Sequence, residues 1–482
     1  MTLTALIFFP LVASLFMAFM KNGETVRRVA LVAGFLELLL ALPLLGYAPK
    51  GEAFQFMEVV DWVPRWGLSY RLGIDGVSLV MILLTVFLLP LTVLCSWSSI
   101  QARVKEFHIC LFLMAAACIG VFAALDFVLF YVFWEAMLVP MYLLIAVWGG
   151  PRRKYASLKF IIYTLAGSTV LLVAIIAFYT QTRTFSIPDI MNHAFSFRFQ
   201  FWTFLAMALA FAIKVPMFPF HTWLPAAHVE APTAGSVVLA SVLLKMGTYG
   251  FLRFALPLAP DASVYFAPFM IAFSIASILY GGFLALGQND LKKLIAYSSV
   301  GHMGFVTLGI FLLNLRGVEG AVMQMINHGV TTGGLFMMVG IIYERSHSRE
   351  ISVNSGLGKY LPAYMAFFGL FSLSSLAFPG TNSFVGEFLV LLGAFKSSYL
   401  IGALAVPGAL LAAAYMLRLL QRMAWREPSH AQDWPDLKPR EWAYLLPLVF
   451  FVLYLGLAPG LTLSAIDPSI QRILSKFAAA GL

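Results

Sequence analysis

Lys214 and Lys245 lie inside stretches otherwise apolar enough to span a bilayer. A buried ammonium is costly unless it is paired or hydrated, so such a residue is kept for a purpose. The purpose open to a lysine in that setting is to hold and release a proton. Four more ionisable groups share it: Glu135 in LFYVFWEAMLVPMYL, His302 in YSSVGHMGFVTLG, His328 in MQMINHGVTTGG and Glu387 in LAFPGTNSFVGEF.

Each has a plainer reading. Lys214 could support the helix break at Pro216, and a lysine near a span end can snorkel to the interface. Lys245 is near the middle of its span and has nowhere to snorkel. A single core histidine is usually only a hydrogen-bonded one. Two on consecutive spans, with Ser298, Ser299, Gln324, Asn327 and Thr331 nearby, make the walls of a proton or water path. His221, His228 and Glu230, in HTWLPAAHVEAPTAG, fit proton uptake or a satisfied loop equally well. Glu37 reads as a peripheral or inter-subunit contact.

Metal-ligand spacing, a nucleophile arrangement and a phosphate-binding glycine loop are all missing from the sequence. Cys95, Cys110 and Cys118 lie in apolar spans without CxxC spacing and read as small core residues. The chemistry that remains is proton transfer through water chains. Desolvation works against the Lys214 ammonium and a nearby carboxylate works for it. Moving or neutralising Glu135 would therefore switch Lys214 between holding and releasing a proton.

The elements that must position these groups follow from composition. The chain has 482 residues, 61% hydrophobic and 11% charged, with apolar runs of about twenty residues recurring from end to end. Backbone in hydrocarbon must satisfy its own hydrogen bonds, and the runs lack the alternation of barrel strands, so the fold class is all-α. About fourteen transmembrane helices are expected, ending in an amphipathic piece near 464–478. The first span has no basic n-region or cleavage site and reads as a retained helix. The 49–75 stretch reads as a loop.

Nineteen Lys and Arg fall in one set of loops and ten, Arg253 among them, in the other. The first set is placed in the cytoplasm and both termini outside. The net charge of +9 then faces anionic lipid, and no nucleic-acid role is expected.

A weak internal repeat divides the chain into helices one to three (1–106), a first five-helix unit (107–257), a second (263–421) and a terminal segment (422–482). In each unit the fourth helix is interrupted, by Pro216 and Pro219 or by Pro379 and Gly380. Five helices is an odd number, so the second unit must enter the membrane inverted, an arrangement typical of transporters.

The runs FWEAMLVPMYLLI, KVPMFPFHTWLPAAHVEAPTAGSVVLASVLLKMGTYG, NDLKKLIAYSSVGHMGF, INHGVTTGGLF and FPGTNSFVGEF resemble the antiporter-like proton-channel subunits of respiratory complex I, over nearly the whole chain. The resemblance implies proton translocation driven by NADH-to-quinone electron transfer in other subunits, which would hold the FMN, the Fe–S clusters and the quinone. It implies no cofactor here, sister subunits L and N as neighbours, and a place in the inner (cytoplasmic) membrane. It also makes Glu135 and Lys214 the charge pair of the first half-channel, Lys245 the central relay, His302 and His328 the connecting residues, and Glu387 the terminal group. Glu387 is distinctive, because the related subunits L and N usually carry lysine there. A Na⁺/H⁺ antiporter subunit and a membrane-bound hydrogenase subunit are the alternatives.

Overall fold

The structure, a computed structural model, describes residues 1–427 and 434–478. Residues 428–433 and 479–482, both within the expected 422–482 segment, lie outside the described residues. The chain is a polytopic helical protein, with twelve helices among the described residues long and apolar enough to cross a membrane. Thr2–Ala18 is a shorter apolar helix. The helix expected to be interrupted at Pro379 and Gly380 divides into Pro362–Ser375 and Asn382–Ser397.

Several helices begin where a short polar side chain can accept an orphan backbone N–H. Asn22, Asp75, Asp126, Asp290 and Asn314 each do so at the N-terminus of the helix that follows. The interruptions also have local causes. Proline lacks the N–H that would continue the ladder, and Phe197–Lys214 stops just before Pro216. The chain resumes as Trp223–Glu230. The indole N–H of Trp223 donates to the Ile213 carbonyl at 2.8 Å, satisfying a group at the break. In the second interruption Gly380 has φ +92°, a conformation that favours glycine.

The most buried helices form the centre. Every residue in the most apolar stretch of Leu315–Ser346 is buried, as is 94% of that of Thr233–Leu258. Thr233–Leu258 is not regular: π-helical segments at Leu239–Leu243 and Phe251–Ala255 flank an α-helical turn at Leu244–Gly250. Gly247 lets it approach Phe197–Lys214 closely, since a Cβ there would lie 2.8 Å from the Phe211 carbonyl oxygen.

Three sequence readings need correction. The 49–75 stretch contains an antiparallel hairpin, Gln55–Val63 paired with Leu68–Ile74 and turned at Gly67. Arg253, assigned to an outer loop, is 5% exposed within Thr233–Leu258 and is paired with Asp75 at 2.6 Å. Glu37, read as a peripheral contact, is fully buried inside this chain, with no hydrogen-bond partner for either carboxyl oxygen.

Candidate proton-relay site

Glu135 sits where its apolar span bends. Phe127–Ala136 and Leu138–Trp148 meet at Met137, because Pro140 cannot donate back to the preceding turn. The Glu135 side chain is half-buried, its Oε1 without a hydrogen-bond partner. Lys214, the last residue of Phe197–Lys214, is 2% exposed. Its Nζ lies 3.4 Å from Met137 Sδ and 5.1 Å from the Trp134 ring centroid. Glu135 is within electrostatic reach of Lys214, but no ion pair of 4.0 Å or less joins them among the described residues. The expected charge pair is thus not in direct contact, and a thioether and an indole lie beside the ammonium.

Lys245 is fully buried, with Nζ 2.7 Å from His328 Nδ1 and donating to the Ala240 carbonyl at 2.6 Å. The rings of His328 and His302 follow at a centroid distance of 5.9 Å. His302 Nδ1 is 2.7 Å from Glu387 Oε1. Its Nε2 lies 3.3 Å from both Ser375 Oγ and Tyr415 OH. Gln324 donates to the same Glu387 oxygen at 3.0 Å, leaving Oε2 without a partner. Lys245, His328, His302 and Glu387 therefore form one buried line.

Around this line Asn327 donates to the Asn382 carbonyl at 2.7 Å, and Thr331 and Ser374 hydroxyls are 2.6 Å apart. These bonds tie the second interruption to Leu315–Ser346. Near the first interruption His228 is fully buried and stacks on Phe336 at 4.6 Å. Neither of its ring nitrogens has a partner, and Lys245 and Lys292 are both within its electrostatic reach. Glu230 accepts the Arg152 backbone N–H at 2.9 Å, and His221 packs against Phe218 and Tyr280. His221 thus stands apart from the buried line.

Sequence reasoning missed Lys292, Ser375 and Tyr415. Lys292, counted with the cytoplasmic loops, is 7% exposed and donates to the Ala231 carbonyl at 2.7 Å. Beside Lys293 at a helix start, nothing in its sequence position signalled burial. A hydroxyl in a span carries no signal either.

A family model described as NADH:quinone oxidoreductase/Mrp antiporter, transmembrane, matches residues 124–412, and one for the amino terminus of NADH-ubiquinone oxidoreductase chain 4 matches residues 5–122. The chain belongs to the NADH:quinone oxidoreductase/Mrp antiporter family. It is 44% identical to NADH-quinone oxidoreductase subunit M of Rhodobacter capsulatus, over 99% of this chain and 97% of that one. It is 42% identical to NADH-ubiquinone oxidoreductase chain 4 of Chondrus crispus, over 87% and 86%. Among solved structures, a chain of respiratory complex I from Thermus thermophilus with bound NADH matches at a TM-score of 0.92 and 32% identity, over 99% of this chain and all of that one. Within this family the buried line lies in the segment that the transmembrane model covers.

Proposed function

We propose that this chain is a proton-translocating, subunit M-type membrane subunit of an NADH:quinone oxidoreductase, driven by electron transfer from NADH to quinone elsewhere in the complex. The observation that carries the reading is the line Lys245–His328–His302–Glu387, in which each ionisable group lies close to the next inside an apolar bundle. Neutral imidazoles can accept a proton on one nitrogen and give one from the other. Such a line passes protons laterally between two water-accessible halves.

In this reading 107–257 and 263–421 are inverted five-helix units, preceded by 1–106 and followed by 422–482. Glu135 sets the charge state of Lys214 in the first unit. Lys245 is the central relay, His328 and His302 connect it to the second unit, and Glu387 is the terminal group. Because Met137 Sδ and the Trp134 ring lie beside the Lys214 ammonium, Glu135 acts on it through space. Moving either side chain then changes that influence without first breaking an ion pair.

FMN, Fe–S clusters and quinone belong to partner subunits in this proposal, with sister subunits L and N alongside in the inner (cytoplasmic) membrane. The relatives named subunit M, the match to a complex I chain and the glutamate at position 387 favour this over an antiporter or hydrogenase subunit. The test is NADH-driven acidification of vesicles carrying the assembled complex. Lys245→Ala should abolish or sharply reduce it, since a titratable group is lost, while the complex still assembles. Full pumping in that variant would overturn the assignment.

A further inference from the structure

The second buried charge in Thr233–Leu258 has no part in the relay, yet it stands two turns beyond Lys245 toward the outer end of the same helix. Arg253 donates through Nη2 to Asp75 at 2.6 Å and to Ser78 Oγ at 3.0 Å, and through Nε to Tyr249 OH at 3.0 Å. Tyr249, one turn from Lys245, is also 2.9 Å from Ser78 Oγ and donates to the Phe122 carbonyl at 3.1 Å. The guanidinium lies against the Phe54 and Tyr249 rings, at 5.0 and 5.2 Å. Asp75 is held as the N-cap of Gly76–Ser96, accepting the Ser78 backbone N–H at 2.9 Å.

Asp75 and Arg253 also border a cavity of about 260 Å³ whose mostly apolar wall includes the polar side chains of Asn192, Ser469, Arg472 and Lys476. Its cover is the terminal helix Gly460–Ala478. Ser469 accepts the Gly76 backbone N–H at 3.0 Å, Arg472 donates to the Gly51 and Glu52 carbonyls, and Lys476 donates to the Met191 carbonyl. A cavity of this size with polar groups on its wall has room for several waters. Along the helix Arg253, whose guanidinium does not deprotonate, stands between this cavity and the proposed proton-exchanging Lys245.

A fixed positive charge in a low-dielectric passage repels an excess proton much more strongly than it would in water. Burying it alone would be prohibitive, and Asp75 with the two hydroxyls supplies the compensating charge and hydrogen bonds. We propose that the Asp75–Arg253 pair, with Tyr249 and Ser78, is an electrostatic seal that keeps protons in the outer cavity from reaching Lys245 directly. This rests on Lys245 being the relay proposed above. Without such a seal, protons delivered outside would return through Lys245 and cancel the work of the pump.

The test uses vesicles carrying the assembled complex, without NADH, under an imposed pH difference. The double variant Asp75→Asn/Arg253→Gln removes both charges together, so neither is left unpaired. Its passive proton leak should rise severalfold, and adding Lys245→Ala should return the leak to the wild-type rate. Arg253→Lys keeps the charge and should keep the seal. A wild-type leak rate in the assembled double variant, or a leak in Arg253→Lys as large as in the double variant, would overturn the proposal. Failure of the relay reading is distinguishable: the leak would then persist in the triple variant, and Lys245→Ala alone would pump normally.

Discussion

His302 Nδ1 and Glu387 Oε1 lie 2.7 Å apart, with the two side chains 4% and 2% exposed. They come from separate helices, Leu291–Phe311 and Asn382–Ser397. The second of these starts just after the Pro379–Gly380 interruption. A continuous helix at that point would have left no reason for polar groups to gather. Here Asn327 donates to the Asn382 carbonyl just after the interruption, Thr331 donates to the Asn382 side-chain oxygen and meets the Ser374 hydroxyl, and the imidazole and carboxyl sit beside this polar patch.

The first prediction follows from the two faces of the His302 ring. Glutamine in its place can still hydrogen-bond to Glu387 but cannot accept a proton on one side and give one up on the other. NADH-driven acidification should fall roughly a hundredfold or more in His302→Gln, within the range by which a proton-transferring side chain commonly speeds its step. Wild-type acidification per NADH oxidised would remove His302 from the line.

Glu135 supplies a second prediction. With no ion pair of 4.0 Å or less to Lys214, its influence is through its charge and not through a particular contact. Glu135→Asp, which keeps the charge, should retain much of the pumping, and Glu135→Gln, which keeps the shape, should lose most of it. Comparable acidification by the two variants would show that this carboxylate does not control Lys214.

The sequence made the buried charged residues visible for one physical reason: an ionisable residue in an apolar run stands out. Lys214, Lys245 and Glu387 are all buried, as their positions in the sequence suggested. The same reasoning failed near helix ends. Arg253 lies five residues from the end of its helix and Lys292 one residue into its own, where a charge is normally solvated. What buries them is the packing of distant segments, Gly76–Ser96 with its N-cap against the first and the Ala231 carbonyl against the second. The separation of Glu135 from Lys214 was equally hidden, since sequence order says nothing of the Met137 thioether beside the ammonium. The hairpin escaped because MEVVDWV carries only imperfect alternation between turn residues.

A third prediction concerns stability and not transport. Asp126 is 1% exposed, caps the N-terminus of Phe127–Ala136 by accepting the Val128 and Leu129 N–H groups, and also accepts the Ser69 N–H from the hairpin. Asp126→Ala removes a cap and strands a buried donor, at a cost of about 1–3 kcal/mol. Asp126→Asn retains an acceptor and should lose less. Thermal unfolding of the detergent-solubilised complex should rank wild type above Asn and Asn above Ala, and equal midpoints for Ala and wild type would refute the capping account.

The last prediction turns on Glu387, whose Oε1 accepts from Gln324 at 3.0 Å and lies 2.7 Å from His302, while Oε2 is buried without a partner. An unpartnered buried oxygen is a place for a proton or for an ordered water. If its role is to be a titratable group at the end of the line, another titratable group should serve in part. Glu387→Lys should retain some pumping, although an ammonium cannot accept the Gln324 hydrogen bond and His302 would have to turn its acceptor nitrogen toward the new side chain. Glu387→Ala should retain little, because a methyl group neither holds a proton nor orders water. Redox-coupled acidification in vesicles, normalised to NADH oxidation, separates the cases. Activity in Glu387→Ala equal to wild type would take Glu387 off the path, and activity in Glu387→Lys no better than in Glu387→Ala would show that the carboxylate itself, and not titratability, is what the site requires.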